Sequence, residues 1–258
     1  MEIKEILDRL ELLFSHDKRF SDLRRFYLED DLNSMFRLFD SFQSSQIIKS
    51  VKKFIDNPDF NSSCLSQGQI MSKTWLINEL EKINQTTNIK LGTVFLCGGW
   101  YGILATLLFE KNFDIEKIRS FDIDDSCRHF AEVINKPWVM NDWKFKAVTQ
   151  NIHDIDFSTH VYNVYRSNGT PCELTDSPDT IINTSCEHID NFENWFFIKI
   201  PVGKLCLLQT SNWKEIPEHI NCCDSLNEFA EQTPMSNLLF EGEYKTPKYT
   251  RFMRIGYK

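Results

Sequence analysis

The chain carries two hydrophobic patterns, which change close to residue 60. Over residues 1–57 apolar side chains recur every three to four residues, charged residues fill the gaps, and no glycine interrupts the pattern. This spacing is typical of amphipathic α-helices. It predicts three or four helices that form an N-terminal helical cap over residues 1–60. Their apolar faces must be buried against each other, the remaining chain or a second copy, and a homodimer through these helices is one expectation.

Short apolar runs alternate with helical stretches over residues 61–258. This alternation indicates a separate α/β domain. Its first run, residues 94–96, has the β-branched and apolar composition of a buried parallel strand.

A cluster of glycines follows this first strand. Gly98, Gly99 and Gly102 separate it from residues 103–108, whose apolar positions have helical spacing. Glycines at such a turn bring bare backbone N–H groups close to a ligand above the carboxyl end of the strand. The alternative is that they only allow the helix to pack closely on the strand.

An acid follows the glycine turn at a characteristic distance. A second short strand is predicted to end at Asp122, about twenty residues beyond the turn, which is the spacing of a nucleoside-binding βαβ unit. A carboxylate there can accept hydrogen bonds from both ribose hydroxyls.

Together, residues 96–102 and 120–125 resemble the first two motifs of the class I S-adenosylmethionine-dependent methyltransferases. The sequence departs from that pattern in having Trp100 where the middle glycine is common and no acid before Gly98. The resemblance implies a Rossmann-like, doubly wound α/β fold. In this fold a seven-stranded sheet is mostly parallel and ends in an antiparallel C-terminal pair. The resemblance also implies that the domain binds S-adenosyl-L-methionine.

The resemblance also implies which residues hold this cofactor. Asp122 would bind the ribose, and Asn151 or Asp154 would hold the adenine, although Asp154 could equally cap a turn. The full cofactor-binding set is Gly98, Gly99, Trp100, Tyr101, Gly102, Asp122, Ile123, Asn151, Asp154, Asn183 and Ser185.

Polar residues follow the strand predicted at residues 180–182, where folds of this kind place chemistry beside the transferred methyl group. His188 has an ordinary pKa suited to accepting a proton near neutral pH, Glu187 could orient it, and Asn183 completes the predicted catalytic set. The alternative is that Asn183 and Ser185 cap the next helix while Glu187 and His188 are solvated in its first turn.

A β-hairpin insertion is predicted near residues 160–175, with its turn at an Asn-Gly pair. It is interpreted either as a substrate lid or as a decoration of the sheet edge. Four side chains are candidate contacts of the acceptor substrate: Tyr165, Cys186, Asn212 and Trp213.

The composition limits which classes of partner and site are expected for this chain. A net charge of -8 and the scattered lysines and arginines argue against a broad nucleic-acid surface. No apolar run approaches the roughly twenty residues of a membrane span. The eight cysteines include no CxxC pair, so free thiols, a cytoplasmic protein and no metal site are expected.

These observations lead to one preferred function and two alternatives. The preferred function is transfer of a methyl group to an oxygen or nitrogen atom of an unidentified acceptor, a small molecule or a protein side chain. Transfer of the aminobutyrate part of the same cofactor, as in nicotianamine-synthase-like proteins, is the enzymatic alternative. A cofactor-binding or assembly module without turnover is the other.

Overall fold

The computed structural model describes residues 7–8, 11, 19–29, 46–54, 57–111, 113–166 and 168–258. Most of the predicted N-terminal cap, and with it the expected homodimer surface, lies outside these residues. Two of the predicted helices are described, α1 (Arg19–Leu28) and α2 (Gln46–Phe54).

Helix α2 packs on the α/β domain. The Phe54 ring meets the Phe130 ring edge-on at 4.9 Å between centroids. The backbone N–H of Gln46 donates to Glu110 Oε1 at 2.6 Å. The described part of the N-terminal region is therefore joined to the main domain by apolar and polar contacts.

A seven-stranded sheet forms the centre of the α/β domain, in the order β3-β2-β1-β6-β7-β9-β8. All neighbours are parallel except β9, which runs antiparallel to both β7 and β8. This confirms the predicted fold class. The strands, including the separate pair β4 and β5, are β1 (Lys90–Cys97), β2 (Asp114–Asp122), β3 (Phe145–Thr149), β4 (His160–Tyr165), β5 (Pro171–Asp176), β6 (Thr180–Asn183), β7 (Leu205–Ser211), β8 (Asn237–Lys245) and β9 (Thr250–Tyr257).

Helices cover the sheet and connect its strands. The α-helices after α2 are α3 (Gln67–Thr87), α4 (Ile103–Glu110), α5 (Ser126–Ile134), α6 (Lys136–Met140) and α7 (Leu226–Gln232). Short 3₁₀ turns occur at Ser62–Leu65, Ile152–Asp154 and Cys186–His188, and a π-helix at Asn194–Lys199. Among the described helices, none is long and apolar enough to cross a bilayer.

The central strand β1 separates two hydrophobic cores. Side chains alternate between the faces of a strand, so Leu96 joins the core beneath α3, α4 and α5, while its neighbour Phe95 joins the core on the opposite face. All residues of β1 after its first are buried. A strand covered on both faces explains the continuous apolar run that marks it in the sequence.

The predicted hairpin is confirmed as the antiparallel pair β4–β5. Buried polar contacts hold it against the main sheet: Asp176 Oδ2 accepts from Arg119 Nε at 2.7 Å and also from the hydroxyl of Tyr162. Lys146 Nζ donates to the carbonyl of Tyr165 at 3.0 Å. The hairpin therefore packs on β2 and β3.

Candidate functional site

A cavity of about 1060 Å³ opens at the carboxyl ends of β1, β2 and β6. Parallel strands end at the same edge of a sheet, and ligands of doubly wound folds bind there. The start of α3, the loop after β7 and the turn between β8 and β9, residues 245–249, form further walls. None of the described residues of the β4–β5 hairpin lines this cavity, which favours the edge-decoration interpretation over the lid.

The three glycines of the turn have different surroundings. Gly98 has φ +66°, and a Cβ added there would meet no atom within 4 Å, so this position borders open space. A Cβ at Gly99 would lie 1.9 Å from Ser120 Oγ, and one at Gly102 would lie 2.6 Å from Asn135 Nδ2. Gly98 thus leaves open space beside the cavity, whereas Gly99 and Gly102 allow close packing.

The two aromatic residues of the turn line the cavity but differ in their contacts. Trp100 has φ +48°, and its backbone N–H donates to Asp122 Oδ2 at 2.8 Å. Tyr101 is buried, its ring stacks on Phe60 at 5.2 Å, and its hydroxyl accepts from the N–H of Asn61 at 3.2 Å. Tyr101 therefore joins the glycine turn to the segment that precedes α3.

Asp122 lies at the end of β2 and lines the cavity. Its Oδ1 accepts from the N–H of Asp124 at 3.1 Å, and its Oδ2 is held by Trp100. A carboxylate has about four lone-pair sites, so it retains capacity to accept further bonds. Burial raises the pKa of Asp122, although the backbone N–H bonds from Asp124 and Trp100 oppose that shift.

An apolar side chain stands beside this carboxylate. Ile123 is 71% exposed and lines the cavity, as do Asn151 and Ile152. Asn151 Oδ1 accepts from the N–H of His153 at 2.9 Å, which fixes the turn after β3. An exposed isoleucine within a cavity offers a flat aromatic ligand an apolar surface.

At the other end of the cavity, two imidazole rings and a carboxylate come together. Glu187, His188 and His219 each place one donor atom within 4.8 Å of the others. The two rings are perpendicular, with centroids 4.6 Å apart. Partial burial lowers the pKa of His188 below its ordinary value and so favours the neutral ring.

Glu187 is held by an arginine from β9. It is 1% exposed, and Oε1 accepts from Arg251 Nη2 at 3.2 Å. Arg251 Nη1 donates to the carbonyl of Thr184 at 2.8 Å. Oε2 of Glu187 is buried and has no hydrogen-bond partner among the described residues.

Two polar side chains from the start of α3, Gln69 and Lys73, also line the cavity. Lys73 Nζ donates to Gln69 Oε1. Burial, with a smaller contribution from the positive charge of Arg251, lowers the pKa of Lys73 to about 8. A buried cation in a cavity is suited to an anionic ligand group.

Solved structures with a similar fold are known. A Galdieria sulphuraria protein named as a sarcosine dimethylglycine methyltransferase shares 12% identity at a TM-score of 0.50, over 75% of this chain and 88% of that one. The N-methyltransferase NodS from Bradyrhizobium japonicum, in complex with S-adenosyl-L-homocysteine, shares 8% identity at a TM-score of 0.51, over 82% of this chain and 97% of that one. This chain has the class I methyltransferase fold. No protein-family model matches the sequence, and no curated protein matches it.

Most of the cofactor-binding residues expected for this methyltransferase fold lie around the cavity. Gly98, Gly99, Trp100, Tyr101, Asp122, Ile123, Asn151, Asn183 and Ser185 all line it. Gly102 caps the following helix beneath the turn. Asp154 is exposed and lies outside the cavity because its 3₁₀ turn directs Asn151 and Ile152 inward instead.

Three of the four candidate acceptor contacts also lie outside the cavity. Cys186 is fully buried, burial raises the pKa of its thiol well above the usual value, and its Sγ donates to the carbonyl of Asn183. Asn212, which follows β7, accepts at Oδ1 from the N–H of Thr250 at the start of β9, at 2.8 Å. Tyr165 lies on the hairpin beneath the guanidinium of Arg128.

Trp213 is the candidate acceptor contact that does line the cavity, where its ring stacks on Tyr249 at 4.9 Å. Sequence reasoning missed Tyr249, Arg251 and His219. Each reaches the cavity from a strand or loop distant in sequence, and no local motif marks it.

Proposed function

We propose that this chain binds S-adenosyl-L-methionine in the cavity and transfers its methyl group to an oxygen or nitrogen atom of an acceptor. The observation that carries the proposal is the row formed by Gly98, Asp122 and Asn151, which follows the carboxyl ends of β1, β2 and β3 along one wall. In this order, an open glycine leaves space for the ligand, a carboxylate can accept from the ribose hydroxyls, and an amide can bond to the adenine.

The adenosine half of the cofactor would lie along this row. Asp122 would accept hydrogen bonds from the ribose hydroxyls, and Ile123 and Asn151 would hold the adenine. Gly98 would leave room for the methionine part, and Lys73 would pair with its carboxylate. Each contact uses a side chain that lines the cavity.

The acceptor would occupy the end of the cavity with Glu187, His188 and His219. Methyl transfer is an in-line displacement, in which a lone pair of the acceptor forms a bond to the methyl carbon while the carbon–sulfur bond breaks and its electrons stay on sulfur. An O–H or N–H acceptor also loses a proton, which leaves toward this polar group. The cavity of about 1060 Å³ has room for a small molecule or an inserted side chain beside the cofactor.

Isothermal titration tests the cofactor proposal. We expect the purified chain to bind S-adenosyl-L-methionine and S-adenosyl-L-homocysteine, and Asp122→Ala to weaken both by about tenfold or more. Asp125→Ala is the matched control, because Asp125 is an exposed acid three residues away that does not line the cavity.

Equal affinity of the wild type and Asp122→Ala would contradict this placement of the ribose. Product analysis with candidate acceptors tests the transferred group: S-adenosylhomocysteine indicates methyl transfer, whereas methylthioadenosine would indicate aminobutyrate transfer and refute the proposal.

A further inference from the structure

The group at the acceptor end has the composition of a transition-metal site. We propose that Glu187, His188 and His219 bind one divalent first-row transition-metal cation. Two imidazoles and one carboxylate form the ligand set of many zinc sites in which three protein ligands leave a position open to substrate. Here the open position faces the cavity, because all three residues line it.

The carboxylate is prepared to bind a cation. Glu187 is buried, and Arg251 and the more distant Ser211 hydroxyl both approach Oε1. Oε2 is left buried without a partner among the described residues. A buried, unpartnered carboxylate oxygen is unfavourable unless a cation or a donor satisfies it. The orphan atom is therefore an independent indication of a bound ligand at this position.

His219 has the tautomer that metal coordination requires. Its Nδ1 lies 2.5 Å from the carbonyl oxygen of Trp213, which can only accept, so Nδ1 carries the proton. Nε2 then has a free lone pair. Metal-ligating histidines usually donate their other ring N–H to a carbonyl or carboxylate in this way.

Backbone contacts hold the loop of His219 against the segment that carries the other two ligands. The N–H of Asn221 donates to the carbonyl of Glu187 at 2.9 Å, and its side-chain Nδ2 donates to the carbonyl of Cys186 at 3.3 Å. The three donor atoms lie within 4.8 Å of one another, and rotation of the side chains would bring each to about 2.1 Å from one ion. The site is thus assembled by the fold.

The cation's role follows from its place and rests on the proposed function. It would lower the pKa of an acceptor hydroxyl bound at the open position, so that the oxygen is a better nucleophile toward the methyl carbon. His188 would then serve as a ligand instead of accepting the proton itself. Binding of the cation does not depend on this role.

Cobalt(II) titration of tag-free protein, stripped with a chelator, tests the site. We expect one equivalent to bind with the visible absorption of imidazole-coordinated Co²⁺, and Zn²⁺ to displace it. Mg²⁺ should not compete, because it prefers oxygen ligands. His219→Ala should weaken Co²⁺ binding by more than about 100-fold and abolish the absorption bands.

Two further variants complete the test. His129→Ala, which removes an exposed histidine on α5 outside the group, should bind Co²⁺ like the wild type. His188→Ala should lose binding as His219→Ala does, and circular dichroism and thermal unfolding identify any variant that fails to fold. Co²⁺ binding retained by folded His219→Ala and His188→Ala, or absent from the wild type, would overturn the proposal.

The metal site and the cofactor site can fail separately. Asp122→Ala should bind Co²⁺ normally while losing S-adenosyl-L-methionine, and His219→Ala should show the reverse. A wild type that binds Co²⁺ but not S-adenosyl-L-methionine would refute only the proposed function, and a wild type that binds S-adenosyl-L-methionine but not Co²⁺ would refute only the metal site.

Discussion

At the scale of single residues, Gly98 and Gly102 share a backbone conformation but not a role. Both have φ near +66°, where any side chain is strained by roughly 1–2 kcal/mol. Gly102→Ala adds a clash with Asn135 and with the ring of Phe145, so we expect it to lower the free energy of unfolding by about 3 kcal/mol. Gly98→Ala should lower it only by the backbone strain, yet weaken cofactor binding about tenfold or more.

Gly203→Ala provides the control for this comparison. Gly203 has φ +87°, borders open space and lies in the turn before β7, at the opposite edge of the sheet. It should lose as much stability as Gly98→Ala in urea unfolding and retain full affinity for the cofactor in titration. Equal affinities of Gly98→Ala and Gly203→Ala would show that Gly98 does not border the ligand.

At the scale of elements, the hairpin β4–β5 depends on one buried carboxylate. Burial opposes ionisation of Asp176, but the Tyr162 hydroxyl and the charges of Arg119 and Lys117 outweigh it and keep the pKa of Asp176 below its ordinary value. Removing one partner of a buried ion pair leaves the other charge uncompensated. We expect Asp176→Asn to lower the free energy of unfolding by about 3 kcal/mol in urea titration.

The same variant tests whether the hairpin takes part in binding. Asp176→Asn should leave cofactor affinity unchanged at a temperature where the protein is folded, because the hairpin lies outside the cavity. Glu173→Gln, an exposed change on the same hairpin, should alter stability by no more than about 0.5 kcal/mol. A weakened cofactor affinity in Asp176→Asn would restore the interpretation of the hairpin as a lid.

Elements with strong local signals were predicted closely from the sequence. Strand β2 ends at Asp122 as expected, and the hairpin β4–β5 lies where the Asn-Gly pair predicts its turn. The position of Gly98 and Asp122 at this cavity could be predicted, since they lie at the ends of predicted strands. The other end of the cavity could not be predicted: His219 and Arg251 reach Glu187 only because β6, β7 and β9 lie side by side in the folded sheet. Such contacts leave no periodic trace in a single sequence.

At the scale of the whole molecule, the buried charge of Lys73 in the cavity lowers the free energy of unfolding. Its pKa of about 8 in the folded chain lies below the ordinary 10.5, so below pH 8 the protonated side chain destabilises the fold in full. Between pH 8 and 10.5 the folded chain loses this proton while the unfolded chain keeps it, so this contribution to stability rises with pH by up to about 3 kcal/mol.

Lys73→Met should therefore be more stable than the wild type at pH 7, and the difference should shrink at pH 10 in urea unfolding. Lys82→Met, on the exposed side of the same helix, should show neither effect.

If the buried ammonium faces the carboxylate of the methionine part, the stabilised Lys73→Met variant should also bind S-adenosyl-L-methionine more weakly than the wild type at pH 7. A stability difference that is the same at both pH values would contradict the lowered pKa, and unchanged affinity would place the carboxylate elsewhere. Gain of stability together with loss of affinity would show that this charge is retained for binding.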